Sequence, residues 1–408
     1  MTELDSDTHE ALHVRASFVI RKGFLEPHKK CERKAKIGEV SQVIPPYSLP
    51  MNLIASTRFN RRTTLIALLL TLAGCATAPK TPQTHIYFPP PPDEPRVQFL
   101  TSFSSERGFS GSSRFLDYVV GSEKTDAAMA KPYGITLQRG KLYVCDSFSG
   151  ALEILDLSKG KMRYFASSGE GQMRLPINLA VDADGTRYVT DTTRGQVLIY
   201  SAKDEYLGAI GKKEEFKPVG VALSGTRLYV TDLKNHNVRV YDKTKRELLF
   251  SIPRDPTDEK SRLMSPTNVA IDRQGRVLVS DTGGFFIQIY DADGNHLRMI
   301  GEQGLNPGSF ALPKGIAADR EGRIYVVDAA TQVVQLFDSE GRILMYFGNP
   351  NTSGPGSTDL PAGIAVDYDH LKFFQQYAAP GFKVEYLIFV TNQYGDQKVS
   401  VYGFGHKK

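Results

Sequence analysis

Short apolar runs separated by turn residues recur along the chain from residue 132 onward, and the same unit occurs six times. Each unit begins with proline, passes through Gly or Asn into apolar or small residues, turns, and continues in a second apolar run that usually ends in Asp. Successive units begin 42 to 48 residues apart, at Pro132, Pro176, Pro218, Pro266, Pro313 and Pro361. A period of this length, built from short strands, predicts a repeat architecture.

The second unit indicates how many strands one repeat contains. Its apolar segments are separated by turn residues and span 178–182, 187–191, 196–200 and 206–210. Four antiparallel strands form one propeller blade, so six units predict an all-β, six-bladed β-propeller. The sixth unit supplies only three strands. We expect the alternating segment 97–102 to provide the missing one, because an N-terminal strand in the last blade closes the ring and protects its edges.

Two segments of the fifth unit resemble the NHL repeat. They are residues 315–319, Gly-Ile-Ala-Ala-Asp, and residues 322–328, Gly-Arg-Ile-Tyr-Val-Val-Asp. The resemblance covers residues 96–408 and implies a six-bladed propeller of the NHL type without implying an activity. A WD-type propeller is disfavoured because the chain contains no Trp.

The region before the propeller has the features of an export signal. Arg58, Arg61 and Arg62 precede the apolar run 65–72, which ends in the tetrad Leu-Ala-Gly-Cys at Cys75. A positive region, a short apolar run and small residues are typical of a secretory signal, and the run is too short to span a bilayer. The tetrad resembles the lipobox of bacterial lipoproteins, which implies cleavage before Cys75 and acylation of its thiol. The alternative is a buried helix that ends in Cys by chance.

These signals divide the N-terminal part into three segments. We interpret residues 51–75 as a lipoprotein signal peptide and residues 76–95 as a proline-rich linker that stays extended. Residues 1–50 show no clear period, and we interpret them as a disordered or untranslated extension, with a long positive region of the signal as the alternative. Ala76 follows the lipidated position, and the resemblance then implies the outer membrane of a bacterial cell envelope.

Composition narrows the class of partner. The net charge is +5 for 408 residues, and 41 % of them are hydrophobic, which suffices for a large core. Residues 1–75 carry 11 basic and 7 acidic residues, so the remaining 39 basic and 38 acidic residues leave a net charge of +1. Nucleic-acid binding is not expected without a basic stripe. Three scattered cysteines predict no disulfide framework, and Cys145 is expected to be a small buried strand residue.

Catalytic and metal-binding patterns are weak. Five second strands end in Asp, and the sixth ends in Asn, which could suggest calcium sites. Because the residue recurs in every blade, we interpret it instead as the acceptor of hydrogen bonds within turns. These residues are Asp146, Asp191, Asp232, Asp281, Asp328 and Asn392. The two residue rings that follow the repeat prolines contain no carboxylate or histidine, and Asn178 and Asn268 are the candidate polar groups at the channel mouth. We therefore expect no metal and no cofactor.

Candidate binding residues lie in loops. One face of the propeller should carry seven of them, namely Arg194, Lys234, Asn235, His236, Phe285, Phe286 and Lys314. An insertion in the last blade, residues 370–383, adds four aromatic residues that either form an interface or pack on the propeller, namely Phe373, Phe374, Tyr377 and Phe382.

The sequence therefore favours a non-enzymatic binding or scaffold module, anchored to the envelope membrane by lipid, that recognises a protein or another envelope component. A metal-dependent hydrolase or lyase, gluconolactonase-like or amidating-lyase-like, is one alternative. A scaffold for surface multihaem cytochromes, which some similar lipoproteins accompany, is the other. Fold alone does not decide among them.

Overall fold

The computed structural model describes residues 85–110, 128–350 and 353–407. The predicted signal peptide, the lipidation site Cys75, the extension 1–50 and the first part of the linker lie outside these residues. In the described part, 25 strands form six antiparallel sheets, and the all-β, six-bladed propeller with four-stranded blades is confirmed. Cys145 is fully buried, as its place in a strand predicts.

The strands follow one another from the channel outward in each of the first five blades. Blade 1 contains β3 (Pro132–Gln138), β4 (Lys141–Asp146), β5 (Ala151–Asp156) and β6 (Lys161–Phe165). Blade 2 contains β7 (Pro176–Val181), β8 (Arg187–Asp191), β9 (Gln196–Tyr200) and β10 (Tyr206–Ile210). Blade 3 contains β11 (Pro218–Ser224), β12 (Arg227–Asp232), β13 (Asn237–Asp242) and β14 (Leu248–Ile252). Blade 4 contains β15 (Pro266–Ile271), β16 (Val277–Asp281), β17 (Phe286–Tyr290) and β18 (His296–Ile300). Blade 5 contains β19 (Pro313–Ala318), β20 (Ile324–Asp328), β21 (Val333–Phe337) and β22 (Ile343–Phe347).

Blade 6 is completed from the other end of the chain. It contains β23 (Pro361–Asp367), β24 (Phe382–Asn392), β25 (Val399–Lys407), β2 (Val97–Phe103) and β1 (Ile86–Phe88). β2 pairs antiparallel with β25, from Val97 opposite Phe404 to Phe103 opposite Val399. The predicted closure by an N-terminal strand is therefore confirmed. β1 was not predicted, since its three residues lie inside the proline-rich linker, yet it pairs with β2 as a fifth strand.

Burial explains the different sequence patterns of inner and outer strands. Second and third strands are covered on both faces by neighbouring blades, so β8 and β20 are buried at every position. Outer strands such as β18 and β22 alternate instead, because one face meets solvent. Interblade cores such as the one around Val279, Leu263 and Tyr290 hold adjacent sheets together.

The strand-ending aspartates hold loops, as the turn interpretation predicts. Asp281 accepts backbone N–H bonds from Met264 at 2.5 Å and Ser265 at 2.7 Å in the incoming loop, and from Gly284 at 2.8 Å in its own turn. The same arrangement occurs at Asp146, Asp191, Asp232 and Asp328. A carboxylate that satisfies several backbone donors has a structural role here.

The insertion of the last blade packs inward. It contains the short helix α2 (Leu371–Phe374) and a 3₁₀ turn (Gln375–Tyr377), and it meets helix α1 (Glu106–Ser110) from the N-terminal side. Phe374 and Phe382 are buried, and Phe373 stacks on Phe109 with ring centroids 4.9 Å apart. Tyr377 is half-buried beside Phe374. Of the four aromatic residues proposed for an interface, two are therefore buried and two are partly exposed. These side chains cover the edge of the core, which agrees with the alternative of packing on the propeller.

Candidate binding site at the channel mouth

The innermost strands approach so closely that they narrow the channel. The third residue of each of these strands forms one ring, made of Gly134, Asn178, Gly220, Asn268, Gly315 and Gly363. A Cβ on Gly363 would lie 2.3 Å from the Tyr133 carbonyl oxygen, and one on Gly315 would lie 2.5 Å from the Ala362 carbonyl oxygen. Glycine is required at these positions because the backbone of the next blade leaves no room for a side chain.

The two asparagines of the ring meet across the channel. The Asn178 amide donates to Oδ1 of Asn268 at 3.0 Å, although blade 3 lies between their blades. Each Oδ1 also accepts the next backbone N–H, at 2.8 Å from Leu179 and 2.9 Å from Val269. Both asparagines are buried, and the side-chain oxygen of each accepts a hydrogen bond. They lie in the channel and link blades 2 and 4, on either side of blade 3.

Below the ring, the channel is a narrow cavity of about 320 Å³ between the six inner strands. Its side chains are mostly aliphatic, with Thr136 and Gln138 as polar exceptions besides the asparagines, and Gln138 donates to the Val181 carbonyl at 3.3 Å. Among the described residues, no group of three or more His, Cys, Asp or Glu side chains could hold a metal ion.

Above the ring, two cations and two aromatic rings form what we term the mouth cluster: Lys131, Tyr133, Lys314 and Tyr394. Lys314, the second residue of β19 in blade 5, places Nζ 5.5 Å from the centre of the Tyr133 ring in blade 1. Lys131 places its Nζ 5.5 Å from the centre of the Tyr394 ring, which is half exposed. Cation–π contacts fix both ammonium groups in orientation.

The electrostatics of the mouth cluster are unusual. Burial, and secondarily the positive charge of Lys131, lower the pKa of Lys314 to about 8, while burial raises the pKa of Tyr133 to about 12. Within the described ranges, Lys314 forms no ion pair and no side-chain hydrogen bond, although buried ammonium groups are normally paired. An anion at the mouth would supply the missing partner.

The other predicted loop residues are dispersed, and most are engaged in their own loops. Arg194 donates to the carbonyl oxygens of Glu170 and Gln172, each at 2.7 Å, and Lys234 Nζ donates to Glu214. Asn235 donates to the Glu215 carbonyl at 3.0 Å. These side chains therefore connect each turn to the loop that enters the same blade.

Three further loop residues lie away from the mouth cluster as well. His236 contacts the Met264 carbonyl through Nδ1 and borders a separate pocket beside β14. Phe285 and Phe286 are both half-buried, and the Phe286 ring lies against Gly284, where an added Cβ would meet its Cζ at 2.2 Å. Phe286, the first residue of β17, therefore packs back on the turn that precedes its strand.

Sequence reasoning missed Lys131 and Tyr394 as site residues. Lys131 precedes the first repeat proline, and Tyr394 lies in the last turn of the last blade, so only ring closure brings them together. Phe148 was missed as well. It is 81 % exposed in the turn whose Ser147 amide donates to the Lys131 carbonyl at 3.1 Å. The sequence signal that could have identified Phe148 is an aromatic residue in the turn between β4 and β5.

None of the helices in the described ranges has the length and apolar character needed to cross a membrane. No known protein-family profile matches the sequence. Among solved structures, the chain is similar to a protein of unknown function from Bacteroides thetaiotaomicron, with 15% sequence identity and a TM-score of 0.53, over 76% of this chain and 75% of that one.

Two further similarities are weaker. Virginiamycin B lyase from Staphylococcus aureus has 12% identity and a TM-score of 0.48 over 67% of this chain and 95% of that one. Hydrazine synthase from Kuenenia stuttgartiensis has 14% identity and a TM-score of 0.46 over 69% of this chain and 97% of that one. At such identities the similarity to the Bacteroides protein shows the fold alone, and that fold is the six-bladed β-propeller.

Proposed function

We propose that this chain is a non-enzymatic binding module of the bacterial envelope that recognises an acidic partner protein at the mouth cluster. The half-buried, unpaired ammonium of Lys314 is the observation that supports it most. A carboxylate of the partner placed between Lys314 and Lys131 would offset the desolvation cost of the Lys314 charge. It would also reduce the repulsion between the two ammonium groups. The NHL-like repeat is consistent with this role, because a propeller is a rigid scaffold whose loops can bind a partner.

Exposed aromatic surface beside these cations supports a protein partner. Tyr394 is 51 % exposed and Phe148 is 81 % exposed, and both belong to turns that border Lys131. Aromatic residues are enriched where binding energy concentrates in interfaces. A partner that covered these rings would also exclude water from the ion pairs at the mouth and strengthen them.

Replacement of Lys131 and Lys314 by Met tests this proposal. Met keeps the apolar stem and removes the charge, so capture of the envelope partner by the immobilised propeller is expected to fall about tenfold or more, equivalent to about 1.4 kcal/mol. Capture by the unaltered propeller should also weaken above about pH 8, where Lys314 loses its proton. Quantitative mass spectrometry of captured membrane proteins provides the measurement.

The matched control is the double variant Lys203→Met and Arg273→Met. It also removes two positive charges, but from exposed turns on the opposite face. It should therefore capture the partner as the unaltered protein does. Equal capture by both double variants would place the interface elsewhere. A captured multihaem cytochrome would support the scaffold role, whereas stoichiometric calcium or zinc that resists dialysis would support the hydrolase or lyase alternative.

We also propose that diacylglycerol on Cys75 anchors the propeller to the outer membrane and that residues 76–84 belong to its spacer. The Leu-Ala-Gly-Cys tetrad after an arginine-flanked apolar run supports this anchor. Cys75→Ser is expected to leave the signal uncut and to abolish the mass increment of the lipid, as measured by mass spectrometry of the membrane and soluble fractions. A Ser variant that is cut and retained on membranes like the original would contradict lipidation.

A further inference from the structure

We propose that a second site, separate from the mouth cluster, binds a small anionic molecule with an apolar body. The site is a pocket of about 730 Å³ in blade 3, which we term the β14 pocket. It lies between the edge strand β14, the turn that precedes β13, and the loop that leads to blade 4. The mouth cluster belongs to blades 1, 5 and 6, so the two sites share no residue.

Apolar side chains supply much of the pocket wall. Leu249 and Phe250 come from β14, whereas Pro253, Leu263 and Met264 come from the loop. Leu249 and Met264 are 48 % and 42 % exposed, so about half of each side chain is accessible to a ligand. Pockets of 300 to 1,000 Å³ with apolar walls and a few polar groups are typical of small-molecule sites. The wall favours an occupant with an apolar body.

The charges of the β14 pocket have one sign. Arg254 and Arg262 line it, no Asp or Glu does, and neither arginine forms an ion pair with a carboxylate in the described ranges. The Arg254 guanidinium lies 4.5 Å from the centre of the Phe250 ring, and the Arg227 guanidinium lies 5.3 Å from the same ring. Stacking therefore holds Arg254 in place before a ligand arrives, which lowers the entropy lost on binding.

Two further polar groups can orient the ligand. The Met264 carbonyl can only accept, so His236 donates to it through Nδ1 and keeps Nε2 for another partner. The side-chain oxygen of Asn237 is buried and has no hydrogen-bond partner in the described structure. A carboxylate or sulfonate held by the arginines, with a hydroxyl or amide group near His236 and Asn237, would match this arrangement.

The test measures binding of 8-anilinonaphthalene-1-sulfonate, an anionic aromatic probe that fluoresces in apolar surroundings, to the intact propeller. Saturable binding of about one probe per chain is expected. In the double variant Arg254→Met and Arg262→Met, the dissociation constant is expected to rise at least tenfold, and the affinity of the unaltered protein is expected to fall with added salt. Dodecanoate should displace the probe, whereas dodecyltrimethylammonium of the same chain length should not.

Two variants show which part of the protein binds the probe. Leu249→Asp places a carboxylate on the half-exposed wall without disturbing a buried residue. The affinity for the anionic probe should therefore also fall at least tenfold. Lys203→Met with Arg273→Met removes two charges elsewhere and should bind as the unaltered protein does. Absence of saturable binding, unchanged affinity in both pocket variants, or equal displacement by the cationic detergent would overturn the proposal.

Discussion

A chain that begins after Phe103 is expected to lose the closed ring. This truncation removes β1 and β2 and exposes the edge of β25, which otherwise pairs with β2 over its first six residues. Val97, Leu100 and Phe103 are each at least 95 % buried. At about 2 kcal/mol for each side chain, their loss costs roughly 6 kcal/mol before backbone hydrogen bonds are counted, which approaches the whole stability of an ordinary domain.

Two longer chains provide the comparison. A chain that begins at His85 keeps both strands and should unfold like the full-length protein in urea. A chain that begins at Val97 keeps β2 but loses Phe88, whose ring centre lies 6.3 Å from those of Phe347 and Tyr402, and should be less stable by about 1 to 2 kcal/mol. Equal urea midpoints for the chains beginning at residues 97 and 104 would refute closure by β2.

Replacement of Glu153 by Gln is expected to stabilise the propeller at neutral pH. Glu153 lies in β5, is 4 % exposed, and its Oε2 has no hydrogen-bond partner in the described structure. Burial, and secondarily the nearby Asp146 carboxylate, raise the pKa of Glu153 to about 8. The equivalent residues of blades 4 and 5 are Gln288 and Gln335, so two other blades already hold glutamine at this position.

The sign of the pH dependence follows from the raised pKa. The unfolded chain releases the Glu153 proton near the ordinary glutamate pKa of 4.5, whereas the folded chain keeps it until about pH 8. The folded state is therefore favoured most below pH 4.5, and stability falls as the pH rises from 4.5 to 8. At pH 7 the loss is on the order of 3 kcal/mol, and Glu153→Gln should recover most of it and flatten the urea-midpoint profile between pH 5 and 8.

The reverse change in blade 5 is a matched control. Gln335 donates to the Ser309 carbonyl and accepts from Gly308 N–H, each at 2.7 Å, and so holds the loop that enters its blade. Gln335→Glu would replace that donor by an acceptor, which should destabilise the protein and introduce a fall in stability with rising pH. Identical pH profiles for Glu153→Gln and the unaltered protein would show that Glu153 is ionised in the fold.

The fold could be predicted because each strand carries its own local signal. Second strands such as β20 are apolar runs that end in Asp, and each blade begins at a proline, so strand number and order were readable from the sequence. β1 was not, since three residues between prolines form no periodic pattern. It becomes a strand only because β2 offers an open edge.

The site was harder to predict than the fold because it depends on distant segments. Lys314 was found through its place after Pro313, but its neighbours Lys131 and Tyr394 meet it only when blades 1, 5 and 6 surround one channel. Two of the predicted loop residues have hydrogen-bond partners that the sequence does not reveal. The sequence pattern suggests that Arg194 and Lys234 bind a partner. In the structure, both side chains instead donate hydrogen bonds to backbone carbonyl groups of adjacent loops, which need donors.

The closure of blade 6 also sets the order in which the chain can fold. About 300 residues separate β2 from its partner β25, so at 5 to 20 residues per second β2 waits about 15 to 60 s during synthesis before that partner exists. An uncharged, apolar strand that waits unpaired is prone to associate with other chains. Pro89 to Pro92 and Pro95 lie directly before it, and prolines beside such strands block premature pairing. The proline-rich segment is therefore expected to hinder pairing of β2 with other chains until β25 has been synthesised.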